Sequence, residues 1–190
     1  MPWKNGLGVT VELAVSPAHG PSAQGGFDWR LSIAAVTTPG PFSSFPGVDR
    51  VLVVLQGDGI VLDHGVPGGR AELKPLVPHP FAGEWSTRSE LPWGPIKDFN
   101  VMTRRDRVSS RVTVLNLTVE DHLELSASRT LFYVVEGEVE LIWGEDRAEA
   151  VEGELAWVES HNWGGARQLS VIPGRQGVVL LQVDLYDLVG

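Results

Sequence analysis

The amino-acid sequence predicts an all-β protein whose short strands form a sandwich or barrel. The chain has 190 residues, and its 22 glycines and 13 prolines interrupt it every few positions, which leaves little room for helices. Between them lie short runs rich in valine, leucine and aromatic residues. Many short strands with frequent turn signals are typical of a sandwich or barrel.

The individual strands are predicted from side chains that alternate between large apolar and polar or small, the period of a half-buried strand. Residues 29–34 show this alternation most clearly. Further strands are predicted at 51–55, 112–117, 131–135, 139–143, 155–158, 169–172 and 178–185. Only residues 86–91 and 120–125 leave room for a helical turn.

A weak internal repeat divides these strands into two similar units. Residues 51–62 resemble residues 131–142, which places Gly57 and Gly137 at equivalent positions 80 residues apart. We expect a duplicated β unit of about 80 residues, with chance similarity among valine-rich strands as the alternative. Each block predicts a strand, a tight hairpin turn whose glycine has a positive φ, and a return strand.

This unit resembles the cupin pattern, in which an apolar strand ends in an acid or amide followed by glycine. Residues 151–158 match the later cupin strand, because Gly153 and Glu154 precede an apolar run there. The resemblance implies a bicupin, with two cupin-like jelly-roll β-barrels packed in one compact unit. Residues 1–110 would form the first barrel and residues 111–190 the second, with exchange of strands between them left open.

Four motifs in the first half, in this order, resemble the HutD/Ves family of bicupin proteins. The resemblance covers most of residues 2–105, whereas only the cupin pattern extends it over 106–190. Leu7 departs from the family, which commonly has a small residue after Lys-Asn-Gly. The motifs are Trp3-Lys4-Asn5-Gly6-Leu7-Gly8-Val9-Thr10, Phe27-Asp28-Trp29-Arg30-Leu31-Ser32, Gly40-Pro41-Phe42-Ser43-Ser44-Phe45-Pro46-Gly47-Val48-Asp49-Arg50 and Gly94-Pro95-Ile96-Lys97-Asp98-Phe99-Asn100-Val101-Met102-Thr103-Arg104-Arg105.

The family resemblance implies a small protein without established catalysis. Such proteins are linked in bacteria to histidine utilisation, where they are thought to bind a pathway intermediate such as urocanate or N-formylglutamate and to moderate flux or expression. A second branch of the family is associated with cold and stress responses.

The distribution of charge is compatible with a small anionic ligand. The net charge of -9 argues against general nucleic-acid binding, which needs a basic surface to neutralise phosphates. Residues 1–110 hold ten basic and ten acidic side chains, whereas residues 111–190 hold five and fourteen. The half that carries the family motifs is therefore neutral, and cations recur within those motifs.

These cations predict the binding site, because a charge that faces a barrel interior must be paired. The partner is either an aspartate close in sequence or a ligand carboxylate, which arginine binds with two hydrogen bonds. Arg30 and Arg104 are better ligand candidates than Arg50, for which Asp49 is an alternative partner. Nearby aromatic residues could form a wall against a planar ligand or belong to the core, and nearby amides and hydroxyls could hydrogen-bond the ligand or cap turns. The predicted ligand-binding residues are Trp3, Lys4, Asn5, Thr10, Arg30, Ser32, Phe45, Asp49, Arg50, Asn100 and Arg104.

The sequence lacks the motifs that are typical of several kinds of metal-binding, cofactor-binding and catalytic site. The chain has no cysteine, which excludes disulfides, thiolate metal sites and a cysteine nucleophile. After Gly57 there is no His-x-His pair of the kind that metal-dependent cupins carry, and His161 is interpreted as a loop histidine. Nucleophile-elbow, P-loop and dinucleotide motifs are also missing. We therefore predict neither a metal nor a cofactor, and no catalytic residue.

Three hypotheses follow. The first is a metal-free bicupin that binds a small anionic metabolite in a regulatory role. The second is a metal-independent cupin enzyme (an isomerase, epimerase or lyase) that uses Asp49, Asp98 or His64 as general acid or base. The third is an interaction module that forms a homodimer. With no signal-peptide pattern and no apolar run near the ~18 residues of a membrane helix, we expect a cytoplasmic protein without membrane or nucleic-acid partners.

Overall fold

The computed structural model describes residues 8–17, 26–159 and 168–188. All regular secondary structure in this part of the chain is β, which confirms the predicted fold class. The structure divides into two units. Unit 1 comprises the described residues up to Ser109 together with Leu188, and unit 2 comprises the described residues of Ser110–Asp187.

Unit 1 contains two antiparallel sheets that share one apolar core. One sheet has five strands in the order β1-β2-β9-β4-β7, and the other has four in the order β3-β8-β5-β6. Leu52, Val54 and Phe81 of the first sheet pack with Ile60 and Leu62 of the second. The strands are β1 (Gly8–Ser16), β2 (Trp29–Val36), β3 (Gly40–Pro41), β4 (Val48–Gln56), β5 (Ile60–Asp63), β6 (Arg70–Leu73), β7 (His79–Ala82), β8 (Arg88–Glu90) and β9 (Ile96–Arg104).

Unit 2 is built around two long central strands, β12 and β15, which pair with each other. Its sheet has the order β10-β15-β12-β13, with β11 also paired to β15 and β14 to β12. Phe132, Val134, Leu141, Leu169 and Leu180 are among the fully buried side chains of its core. The strands are β10 (Val108–Leu117), β11 (Asp121–Glu124), β12 (Arg129–Trp143), β13 (Asp146–Val151), β14 (Leu155–Glu159) and β15 (Gln168–Asp187).

The two glycines of the internal repeat have the predicted positive φ, but the predicted hairpins are wrong. Gly57 has a φ of +95° and connects β4 to β5, which belong to different sheets. Gly137 has a φ of +87° and lies inside β12, where the pairing with β15 shifts register. Gly57 therefore passes the chain from one sheet to the other, whereas Gly137 lies at a register shift within one pairing.

The two segments that left room for a helical turn are strands. Residues 88–90 form β8, which pairs with β3 and β5, and residues 121–124 form β11, which pairs with β15. Hydrogen bonds to distant strands thus override the weak local preference for a turn of helix.

Candidate functional site

The inner face of the five-stranded sheet is defined by strand register. Directly opposed residues of antiparallel strands project to the same side of a sheet. Arg50 on β4 opposes Met102 on β9, and Met102 in turn opposes Arg30 on β2. These three residues share a face with Leu52 and Phe81, which pack on the four-stranded sheet. We call this side the inner face of unit 1.

Five buried polar residues form a cluster on this inner face. Asn100 opposes both Ser32 and Leu52, and Asp98 lies two residues before it on the same side of β9. We call Arg30, Ser32, Arg50, Asp98 and Asn100 the inner polar cluster; none is more than 8% exposed. Burying so many polar groups on a core-facing surface costs stability unless they are satisfied, which makes the cluster a candidate site.

Arg50 is surrounded mainly by aromatic rings. Its guanidinium carbon lies 5.3 Å from the ring centroid of Phe42, 5.7 Å from that of Phe45 and 4.8 Å from that of Phe81. Each distance is within the range of a cation–π interaction. The three rings hold the guanidinium in place and keep water away from it.

The hydrogen bonds of Arg50 to the protein are few and long. Its Nε donates to Asn100 Oδ1 at 3.4 Å, and its Nη1 donates to the carbonyl of Ser43 at 3.5 Å. Among the described residues it makes no salt bridge. Burial lowers the pKa of Arg50 to about 10; the charge of Asp98 opposes this shift and that of Arg30 adds to it. The guanidinium therefore stays charged at neutral pH and keeps N–H donors for another acceptor.

Arg30, by contrast, has a carboxylate partner within the protein. Its Nε donates to Glu12 Oε2 at 2.8 Å. Glu12 opposes Ser32 in the pairing of β1 with β2, so this ion pair lies beside the inner polar cluster. Of the two buried arginines in the described structure, the one that lacks such a partner is Arg50, which the sequence ranked below Arg30 and Arg104.

Asp98 is a buried carboxyl group with one unsatisfied oxygen. It is 1% exposed, and its Oδ1 has no hydrogen-bond partner among the described residues. Burial raises its pKa to about 7, although the charge of Arg50 and the backbone N–H of Ala34 both favour the ionised form. Asp98 therefore changes charge near neutral pH and can accept or donate a hydrogen bond there.

Two histidines meet near Arg50. His64 Nε2 lies 3.0 Å from His79 Nε2, and His64 Nδ1 lies 2.8 Å from the hydroxyl of Thr87. The Phe81 ring contacts both groups: its centroid lies 4.8 Å from the centroid of the His64 ring and 4.8 Å from the guanidinium carbon of Arg50. Burial lowers the pKa of each histidine; for His64 the charges of His79 and Arg50 add to this effect and that of Asp63 opposes it.

The remaining predicted site residues lie in different places. Phe45 contacts Arg50, and Thr10 lies on β1 opposite Ala34. Arg104 lies at the end of β9 and forms an ion pair with Asp106 at 3.3 Å. Trp3, Lys4 and Asn5 fall outside the described residues.

Asp49 faces away from the inner polar cluster, because neighbouring residues in a strand point to opposite sides. Its carboxylate accepts a hydrogen bond from Arg105 Nε at 2.8 Å, and the same guanidinium binds Glu84 at 2.8 Å. The internal partner that the sequence suggested for Arg50 is thus taken by Arg105 on an exposed surface.

Glu12, His79 and Phe81 are not among the residues that the sequence predicted for the site. His79 and Phe81 alternate along β7, but proline precedes and separates them, which hides the strand pattern. Glu12 lies in β1, a strand that was not predicted. The period of two in each segment was the signal that could have revealed them.

No group of three or more histidine, aspartate or glutamate side chains in the described residues is arranged to hold a metal ion. In the same part of the chain there is no helix long and apolar enough to cross a membrane.

Comparison with known proteins decides the family. The family model described as HutD matches residues 1–178. The chain belongs to the HutD family. This confirms the resemblance to HutD and Ves proteins that the motifs of the first half indicated.

Named relatives of this HutD-family chain include HutD-region and Ves proteins. A protein of Pseudomonas putida, described as an uncharacterized 21.2 kDa protein in the hutC 3' region, is 38% identical over 145 residues, or 74% of this chain and 71% of its own. Protein Ves of Citrobacter koseri is 40% identical over 117 residues, which are 61% of this chain and 59% of Ves.

Solved structures extend the similarity to the fold. HutD from Pseudomonas fluorescens SBW25, solved in a formate condition, has a TM-score of 0.80 and 32% identity, with coverage of 100% of this chain and 94% of that one. A cupin 2 conserved barrel domain protein from Leptotrichia buccalis has a TM-score of 0.58 at 11% identity over 93% of this chain and 88% of its own. The HutD-family chain therefore has a cupin-like fold.

Proposed function

We propose that this HutD-family protein binds a small anionic metabolite at the inner polar cluster of unit 1, without a metal, and moderates histidine utilisation in the cytoplasm. The observation that carries the proposal is Arg50, a buried guanidinium without a carboxylate partner in the described structure. The cluster supplies a fixed positive charge in an environment that favours an anion.

The energetics of Arg50 support an anionic ligand. A buried charge is costly unless it is paired and hydrogen-bonded, and the two long hydrogen bonds of Arg50 compensate little of that cost. A carboxylate would accept two parallel N–H donors from one side of the guanidinium, which is the strongest pairing that arginine makes. The rings of Phe42, Phe45 and Phe81 already fix its orientation, so that little side-chain entropy is lost on binding.

The candidate ligands are urocanate and N-formylglutamate. Both carry carboxylates and both belong to histidine breakdown, the process implied by the family. Asp98 Oδ1 and Asn100 would contribute hydrogen bonds beside the carboxylate, because Asp98 Oδ1 has no partner among the described residues. Such a site would select anions that also carry a hydrogen-bond donor.

Replacing Arg50 with methionine tests the binding site. Calorimetry with urocanate, N-formylglutamate, formate and histidine should show binding of at least one carboxylate to the wild type. Arg50→Met should weaken it by roughly 10- to 100-fold, which corresponds to the loss of one or two charged hydrogen bonds. The ligand-free variant should unfold at the same temperature as the wild type or higher, because methionine removes an uncompensated buried charge.

Arg105→Met is the matched control, since Arg105 is paired on the exposed surface with Asp49 and Glu84. It should leave affinity unchanged. Unaltered affinity in Arg50→Met would show that the anion does not bind at this cluster.

A second candidate function is a metal-independent cupin isomerase, epimerase or lyase. It is favoured by the buried Asp98, whose pKa of about 7 suits a general base at neutral pH. Asp49 is no longer a candidate for this role, because it is bonded to Arg105 away from the cluster. Proton NMR of each candidate ligand incubated with the protein tests this function: a bound ligand that stays unchanged for hours contradicts it.

A further inference from the structure

The His64–His79 pair is a hydrogen-bonded imidazole pair that the proposed function leaves unused. The rings are nearly coplanar, at 15°, and their centroids are 5.2 Å apart, while the two Nε2 atoms are only 3.0 Å apart. The rings therefore approach end to end through their nitrogens and do not stack face to face. At this distance one Nε2 donates a proton to the lone pair of the other.

Either tautomer of the pair leaves one ring nitrogen able to bind a proton. If His79 donates between the rings, the Nδ1–H of His64 donates to the Thr87 hydroxyl at 2.8 Å; if His64 donates, its Nδ1 accepts from that hydroxyl. In both cases the ring that donates through Nε2 has an Nδ1 without a proton.

This arrangement has room for one extra proton. Protonation at Nδ1 of the donating ring keeps the Nε2–H···Nε2 hydrogen bond intact. A second proton would place two N–H groups against each other at 3.0 Å and break the bond. The pair therefore binds one proton as a unit, and its titration belongs to both rings together.

The charged groups that face the pair set its proton affinity. Asp63, next to His64 at the end of β5, favours the proton, while Arg50 on β4 opposes it across the Phe81 ring. His64 is 1% exposed, so solvent screens this repulsion poorly. An anion bound to Arg50 would cancel the repulsion and favour protonation of the pair.

We propose that the His64–His79 pair is a proton-binding site coupled to the anion site at Arg50, so that a small carboxylate and one proton bind together. This inference rests on the proposed function, because it requires an anion at Arg50. The protein then takes up the equivalent of a neutral carboxylic acid, with the carboxylate bound to Arg50 and the proton bound to the histidine pair.

Proton uptake on binding tests the coupling. Formate is titrated into the full-length protein between pH 6 and 8 in buffers with different ionisation enthalpies, and the dependence of the binding heat on the buffer gives the number of protons taken up. Formate stays ionised in this range, so any proton is bound by the protein. We expect a measurable fraction of a proton to be taken up per formate, and an affinity that rises as the pH is lowered from 8 to 6.

Three variants assign the proton to the pair. His79→Gln can still hydrogen-bond His64 but replaces one of the two rings with a side chain that binds no proton, and it should bind formate with less proton uptake than the wild type. Asp98→Asn removes the other ionisable group beside Arg50, which a bound anion would also make easier to protonate, and the uptake that remains in this variant should be the part due to the pair. His122→Gln, an exposed histidine of unit 2, is the matched control and should behave as the wild type.

The outcomes separate the coupling from the binding function. Formate binding whose heat is the same in all buffers overturns the coupling and leaves the binding function standing. Uptake lost in Asp98→Asn but kept in His79→Gln also overturns it. If neither formate nor any other carboxylate binds, the proposed function fails and the coupling with it. NMR of the wild-type imidazole resonances gives an independent check, because formate should raise the apparent pKa of the pair.

Discussion

At the scale of single residues, two buried charges of opposite sign dominate unit 1, and neither is paired in the ordinary way. Asp98 and Arg50 stabilise each other's charged form, yet for both groups burial outweighs that attraction. The Asp98 carboxyl is consequently easier to protonate in the folded protein than in the unfolded chain.

Replacing Asp98 with asparagine should make the protein more stable at neutral pH. Because the folded pKa of Asp98 is raised to about 7, its contribution to stability is fully present below the ordinary aspartate pKa and is lost as the pH rises to about 7. Relative to the wild type, Asp98→Asn should gain stability across that window, by at most about 4 kcal/mol at 1.36 kcal/mol per pKa unit. Urea unfolding of both proteins at intervals from pH 4 to pH 8 measures the difference.

Asp106→Asn is the control of opposite sign. The pKa of Asp106 is lowered, first by its hydrogen bond from Arg104, so its contribution is present above the ordinary pKa and lost as the pH falls. Relative to the wild type, this variant should lose stability as the pH rises toward the ordinary aspartate pKa, and the difference should then stay constant at higher pH, so its unfolding series begins at pH 3. If the free energies of unfolding of Asp98→Asn and the wild type differ by the same amount at every pH, the raised pKa of Asp98 is contradicted.

At the scale of elements, the link between β4 and β5 contains two glycines with positive φ, Gly57 and Gly59. Gly57 has a φ of +95°, and a Cβ there would lie 2.7 Å from the carbonyl oxygen of Pro95 and 2.9 Å from Ile96 Cγ2. The close approach of these backbones lets the chain leave one sheet of unit 1 and enter the other.

Gly57→Ala should therefore destabilise the protein more than backbone strain alone. Gly94→Ala is the matched control, because Gly94 has a similar φ of +102° but no atom within 4 Å of the Cβ position. We expect Gly94→Ala to cost roughly 1–3 kcal/mol from strain and Gly57→Ala about 1–3 kcal/mol more from overpacking. Chemical denaturation measures both, and equal losses would show that the close approach is relieved without cost.

At the scale of the whole molecule, the buried positive charge belongs to one unit. Among the described residues, the buried arginines are Arg30 and Arg50, both in unit 1. In unit 2 the buried carboxylate of Asp184 accepts hydrogen bonds from Thr130 at 2.7 Å and from Gln182 at 3.0 Å. Neutral donors satisfy this carboxylate, and its charge disfavours an anion beside it.

The protein should therefore bind one anion per chain. Calorimetric titration with the tightest-binding carboxylate should give a stoichiometry of one, and Asp184→Asn should change neither the stoichiometry nor the affinity. A stoichiometry of two, reduced to one by Arg50→Met, would place a second site outside the inner polar cluster.

The sequence by itself determined the fold class and the family. Alternation along residues 29–34 placed Arg30 and Ser32 on one side of a strand, because successive side chains of a strand point in opposite directions. The motifs around Trp29, Arg50 and Asn100 indicated the family, which the match over residues 1–178 confirms. These features are local, so a single stretch of sequence contains all the information that they need.

Only the tertiary structure decided which charged groups meet. Arg30 pairs with Glu12, Asp49 with Arg105, and Arg50 remains among three phenylalanine rings. Nothing close to Arg50 in sequence indicates this outcome. The order of strands in a sheet and their register depend on contacts between distant segments, and these contacts decide whether a buried arginine finds its counter-charge within the protein or must obtain it from a ligand.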